Sequence, residues 1–188
     1  NTGVYGIFPQ FGTNGLVELN VLSGIEDAAI YIGMCDNVDV RTNEVFESVA
    51  GIEIENSRHC LVENNYVHDN TGGLLAFITP GLPIKTCYDV IFRSNFVINN
   101  NHENFAIPGS VVSSIPSGTG ILVLAADNVT IEDNMIIGNK LYSHETPHNT
   151  LTLFARKTLG YLNGKLSHMT TPSLFDYLQD IQWVTVQM

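Results

Sequence analysis

Positive charge is scarce in this chain. Only 8 of its 188 residues are Lys or Arg, against 19 Asp or Glu, for a net charge of −11. So few bases cannot build the basic patch that a nucleic-acid backbone requires. The same deficit argues against an anionic membrane surface, and no apolar run approaches the 18 residues of a membrane-crossing helix. No leader segment and no initiating Met are seen. Asn1-Thr2-Gly3 opens inside what reads as a repeat unit, so a fragment or a processed chain is expected. Charged residues make up only 14% of the chain, while apolar ones reach 44%, the balance of a folded domain. Sixteen Gly and many Asn fit a turn-rich β protein, and the length suits one domain.

Asn is the key to the order. In Ala50 to Asn70, an alternation at Ile52 and Ile54 is followed by a polar break, a second alternation at Cys60 and Val62, and a short run at Tyr66-Val67. Asn65 has counterparts at Asn20, Asn43, Asn95 and Asn134, spaced by 23, 22, 30 and 39 residues. Three residues before each anchor stand Val17, Val40, Val62, Phe92 and Ile131; two after stand Leu22, Val45, Val67, Val97 and Ile136. Gly6, Ala29, Gly51 and Gly120 precede four of the anchors by fourteen residues. The two long spacings read as one unit plus an insertion, at 79–88 and at 101–119.

Three short strands in a unit of about 22 residues cannot bury a core alone, so copies must stack. The pattern predicts an all-β fold: a right-handed single-stranded parallel β-helix of about five rungs, each with three short strands. The Leu-x-x-Leu-x-Leu signature of a leucine-rich repeat is absent, and a propeller blade is nearly twice as long. Stacked rungs lie about 4.8 Å apart, so equivalent residues line up, and an Asn column suits amide-to-amide bonding at a turn.

One outward column tests this register. Two residues before the anchors come Glu18, Arg41, Glu63, Arg93 and Glu132, alternating in sign at every rung. Opposite charges on neighbouring strands are mildly favourable. The register also places the cysteines. Cys60 falls in an inward column. Cys35 and Cys87 share a column two rungs apart, roughly 9.6 Å, beyond disulfide reach. Three free thiols are expected.

The rungs occupy 1–140. Residues 141–188 are expected to form a C-terminal cap or irregular last rung, with strands near Leu151 to Phe154 and Ile181 to Val186 and a helix start at Thr171-Pro172-Ser173.

The stretches Gly51 to Ser57, Asn70-Thr71-Gly72-Gly73, Pro80-Gly81-Leu82-Pro83, Asn100 to Ala106 and Pro116 to Gly120 resemble a bacterial family of right-handed parallel β-helix repeat proteins. That family belongs to the pectin-lyase-like superfamily and is similar to the periplasmic NosD-type repeat proteins. The resemblance implies the fold and export to a periplasm or cell surface, but no reaction.

Two places carry candidate chemistry. The outward row of the first strand reads Phe8, Tyr31, Glu53, Leu75 and Leu122, too apolar to stand bare. Either the insertions or the tail cover it, or it is a groove that stacks sugar rings, with Glu53 and Glu55 as its acids. His102, Glu103 and Asn104 open the longer insertion, near the turn that carries His68 and Asp69, and a His with two carboxylates can do acid–base work. The plainer reading, which we favour, is that His102 and Asn104 bond their own loop while Phe105 and Ile107 plug the side of the solenoid. The candidate ligand-binding residues are therefore Tyr31, Glu53, Glu55, His68, Asp69, His102, Glu103 and Asn104. His144-Glu145-Thr146-Pro147-His148 matches a zinc-protease string, but Pro147 removes a donor the helix would need, so it reads as a polar loop. No metal or cofactor is expected.

The function expected is an exported binding scaffold or accessory subunit, with a polysaccharide or a partner protein on its side face and a place in a larger assembly. The alternatives are a polysaccharide lyase or epimerase on uronate polymers, and a NosD-like role in metal-centre maturation. The Asp trio of polygalacturonases and the Asp-Pro-His-Asp string of mannuronan epimerases do not occur.

Overall fold

The computed structural model describes residues 3–140, together with the backbone of the strands Leu151–Ala155 and Gln182–Val186. The zinc-protease string and the helix start at Thr171 lie outside the described residues. Sixteen strands form three sheets that run the length of a solenoid. The first sheet holds β3 (Ala28–Gly33), β6 (Ala50–Glu55), β9 (Gly72–Phe77) and β12 (Thr119–Leu124). The second holds β1 (Thr13–Glu18), β4 (Asp36–Arg41), β7 (Arg58–Glu63), β10 (Tyr88–Arg93) and β13 (Asp127–Glu132). The third holds β2 (Val21–Ser23), β5 (Glu44–Phe46), β8 (Tyr66–His68), β11 (Phe96–Ile98) and β14 (Met135–Ile137). All of these pair in parallel with the rung above and below. β15 (Leu151–Ala155) continues the first sheet in parallel on β12, and β16 (Gln182–Val186) closes it antiparallel. The first strand of the lowest rung is reduced to two bridges, Ile7 to Ile30 and Gln10 to Gly33.

The register is the expected one. Val17 pairs with Val40, Val40 with Val62, Val62 with Phe92 and Phe92 with Ile131. These side chains and the Val45, Val67 and Val97 column fill a continuous interior that is closed to water. Gly73 is required by close approach: a Cβ there would lie 2.4 Å from the Gly120 carbonyl oxygen and 2.6 Å from Val97 Cγ1.

Asn supports the corners. Each anchor Asn donates from its amide to Oδ1 of the next anchor, at 3.0 Å for Asn20 to Asn43, Asn43 to Asn65 and Asn65 to Asn95, and 2.9 Å for Asn95 to Asn134. A second ladder runs at the next corner through Asn70, Asn100 and Asn139, with Ser48 one rung below bonding Asn70 through its backbone N–H. At the remaining corner Ser57 accepts from the Cys35 backbone N–H at 2.8 Å. The left-handed backbone falls on the residue before each anchor, not on the anchor itself: Leu19, Thr42, Asn64, Ser94 and Asp133 all have φ between 53° and 59°. Non-glycine residues hold this costly conformation only where surroundings over-determine it, and here the Asn ladder does so at every rung.

The charge column is in place. Arg41 Nε lies 3.0 Å from Glu18 Oε2, exposed, and Arg93 Nε 2.6 Å from Glu132 Oε1, half-buried, while Glu63 stands between the two arginines in register. All three cysteines are free and buried.

Candidate binding face and a sealed carboxyl cluster

The outer face of the first sheet is closed. β3, β6 and β9 are buried at every position, on both faces, whereas β4, β7 and β10 leave their outer faces half exposed. The apolar row found in the sequence is present in register, Tyr31 beside Glu53, Glu53 beside Leu75, and Leu75 beside Leu122. Its cover comes from the long loop between β11 and β12, through Val112 and Ile115, and from Tyr5 and Phe8 near the amino end. The Tyr5, Phe8 and Tyr31 rings pack together with centroids 4.2 to 5.2 Å apart.

Three carboxyls sit in this closed layer. Glu53 is 2% exposed, and its Oε2 has no hydrogen-bond partner. Asp27 and Glu55 lie close enough to act on it electrostatically, and with burial they push the Glu53 carboxyl well above the usual carboxylate range. Asp27, raised to about 6 by burial, accepts a hydrogen bond from Tyr5. The hydroxyls of Tyr31 and Thr79 donate to the two oxygens of Glu55. Burial and the bond to Glu55 push the Tyr31 hydroxyl up. An isolated buried carboxylate is expensive, and neutralisation is the ordinary escape. Burial therefore favours the protonated, neutral form of Glu53.

The structure divides the expected site residues among three places. Tyr31, Glu53 and Glu55 meet in the sealed layer. Asn104 belongs to its own loop, donating to the Val112 and Ile115 carbonyls at 2.9 and 2.8 Å and accepting from the Ala106 N–H at 3.0 Å. His102 Nδ1 lies 2.8 Å from the Glu103 carbonyl oxygen, and its ring meets Phe105 edge-on. Phe105 and Ile107 are themselves exposed, so Val112 and Ile115 plug the solenoid in their place. His68 stands on the third sheet and Asp69 at the corner that follows it, Nδ1 of His68 2.7 Å from Asp69 Oδ2 and Nε2 3.4 Å from Glu44 Oε1. The described side-chain contacts do not join this pair to His102 or Glu103.

A sequence model for the right handed beta helix region matches residues 1–154. The chain belongs to the right-handed β-helix family. No curated protein and no solved structure matches it.

In this β-helix the insertions leave open the outer face of the third sheet, which is the more apolar of the uncovered flanks. Two rows run along it in register: Val21, Glu44, Tyr66, Phe96 and Met135, and beside them Ser23, Phe46, His68, Ile98 and Ile137. Tyr66 is 42% exposed and Phe96 46%, and Val21, Met135 and Ile137 are exposed as well. The His68 ring stacks with Phe46 (5.2 Å, 9°) and with Tyr66 (4.1 Å, 25°). Apart from His68 these residues are absent from the sequence-derived candidates. The signal was available, since the positions on either side of the inward Leu22 to Ile136 column must point outward. Asp27, Tyr5 and Thr79 were missed for another reason: each lies outside the strand that carries the row.

Proposed function

We propose that this β-helix is a binding scaffold and that the open flank of its third sheet holds a carbohydrate. The observation that carries the reading is the pair of exposed rings Tyr66 and Phe96, in register on successive rungs, beside the His68 ring that stacks on Tyr66 and Phe46, on a backbone stiffened by two Asn ladders. A large exposed apolar patch marks an interaction surface. Flat aromatic faces take the C–H face of a pyranose, and Glu44, His68 and Asp69 supply polar partners for hydroxyl groups. Preorganised rings lose little entropy on binding. A periplasmic or extracellular location goes with this reading. The test is affinity electrophoresis of the full chain in gels cast with linear polysaccharides. At least one glycan is expected to retard it, and Tyr66→Ala or Phe96→Ala to weaken that retardation about tenfold. Unchanged mobility in every glycan would refute the reading.

The lyase or epimerase reading has one specific observation in its favour, the convergence of Asp27, Glu53 and Glu55 with two tyrosines, since clustered carboxyls are the raw material of acid–base chemistry. Its weakness is access, because the cover must lift before a polymer reaches them. It predicts ultraviolet-absorbing unsaturated ends released from polyuronates, lost in Glu53→Gln.

A further inference from the structure

We propose that the ligand of the open flank is a linear glycan bearing free amino groups, a polymer of the glucosamine class, laid along the solenoid axis. The inference rests on the carbohydrate reading above and adds the ligand's charge to it.

Among the described residues, the arginines of this solenoid are confined to one sheet. Arg41, Arg58 and Arg93 all stand on the second sheet, where each is held by a carboxylate, Glu18, Asp36 and Glu132 respectively. The two rows of the third sheet contain no Lys or Arg. Their acids are Glu44 within the first row, and Glu47 and Asp69 at the corner beside the second, and His68 is the one basic side chain in either row. The Glu44 and Asp69 side chains are 43% and 58% exposed. His68 lies between them and contacts one oxygen of each, leaving Oε2 of Glu44 and Oδ1 of Asp69 to accept from a ligand.

Three classes of glycan would meet this surface differently. A polyuronate would bring its carboxylates against Glu44, Glu47 and Asp69 and be repelled. A neutral glycan would stack on the rings and exchange water at the carboxylates for hydroxyls. An amino sugar would stack equally well and place an ammonium on a carboxylate, and such charge-assisted bonds are roughly twice as strong as neutral ones. The shape agrees. The rows are two side chains wide and five rungs long, roughly 19 Å at about 4.8 Å per rung, a strip that suits a single extended chain. The acids also disfavour a second copy of this molecule docked flank to flank, since like charges would meet across the interface.

The test is titration calorimetry on the full chain with three probes, a glucosamine hexamer, its N-acetylated counterpart and a galacturonate hexamer, each at several salt concentrations. The expected result is at least tenfold tighter binding of the glucosamine hexamer than of the acetylated one, weakening with salt, and no binding of the galacturonate. The double variant Glu44→Gln with Asp69→Asn should lose that preference while still binding the acetylated probe. Tyr66→Ala should weaken both, and Glu63→Gln on the second sheet should weaken neither. Circular dichroism verifies that each variant is folded. Equal affinity for the amino and acetylated hexamers overturns the amino-sugar assignment and leaves the carbohydrate reading standing. Absence of binding to any hexamer, together with a Tyr66-dependent protein complex, overturns both.

Discussion

The side-chain amide of Asn43 donates to Oδ1 of Asn65 at 3.0 Å, and the backbone N–H of Asn43 reaches the same oxygen, also at 3.0 Å. One acceptor thus satisfies two donors of the rung below. Asn65 repeats the arrangement upward on Asn95, and its amide also donates to the Val40 carbonyl at 2.9 Å. The residues on either side of the anchor still bond rung to rung, Thr42 N–H to the Glu63 carbonyl and Tyr66 N–H to the Asn43 carbonyl, and the Asn side chain serves the anchor's own N–H.

Asn65→Ala is therefore expected to be among the most destabilising substitutions at a turn. Asn65 is fully buried, and its loss orphans the Asn43 backbone N–H and takes a donor from the Val40 carbonyl, while the Asn43 amide keeps the Val17 and Arg41 carbonyls. At about 1–3 kcal/mol for each buried polar group left unpaired, the cost is about 2–5 kcal/mol. Asn20, at the exposed end of the ladder, should cost well under half of that when replaced by Ala. Urea denaturation of the two variants measures the difference, and equal midpoints would rule out the ladder as the corner's support.

Much of this fold is written in the sequence because stacking turns chemical identity into periodicity. Asn20, Asn43, Asn65, Asn95 and Asn134 share one environment, so the same residue recurs, and the inward Val and outward Glu and Arg columns follow at fixed offsets. What has no period is not legible in this way. Nothing in the loop after β11 indicates that Val112 and Ile115, not Phe105 and Ile107, face the sheet, because one loop conformation has no second copy to compare. Asp27 and Tyr5 approach Glu53 from a turn and from two rungs below, so neither appears in a row read along one strand. The open flank was legible, since its rows follow from the register, but only after asking which sheet the insertions leave uncovered.

The alternating charges admit a test specific to this register. Glu63 stands between Arg41 and Arg93. Glu63→Lys puts three positive charges on consecutive rungs and should lower stability by about 0.5–1 kcal/mol, in line with exposed pairs. Added salt should shrink the loss, because these side chains are screened by solvent. A thermal melt at low and high salt reads both effects. A loss that ignores salt would mean that packing, not charge, sets the column.

Cys35, Cys60 and Cys87 are closed to solvent, and burial pushes the Cys60 and Cys87 thiols up to about 12. The thiolate is the reactive form. The native chain is expected to leave all three unlabelled by an aromatic disulfide reagent over hours at neutral pH, and to react at three sites once unfolded in guanidinium. Fast labelling of one site in the native protein would show that a rung opens locally.

The Glu53 carboxyl makes the stability of this solenoid depend on pH in a direction opposite to that of a salt-bridged acid. Burial, reinforced by Asp27 and Glu55, holds its folded value well above the ordinary carboxylate range, and Asp27 moves from 3.8 to about 6. A carboxyl raised in the folded state keeps its proton where the unfolded chain has already lost it. Its contribution is complete below the unfolded value, roughly 4, and is lost as pH climbs through the folded one. For Asp27 that interval runs from 3.8 to about 6, and Glu53 is shifted in the same direction. The wild type should therefore unfold at lower urea concentration at pH 8 than at pH 5. Glu53→Gln fills the same space with no charge to bury, so its pH slope should be shallower and its midpoint at pH 8 higher than that of the wild type. Glu53→Leu, which removes the orphaned oxygen as well, should behave in the same way. If both variants track the wild type across this range, Glu53 is ionised in the fold, and the closed layer over Tyr31 and Leu75 admits water.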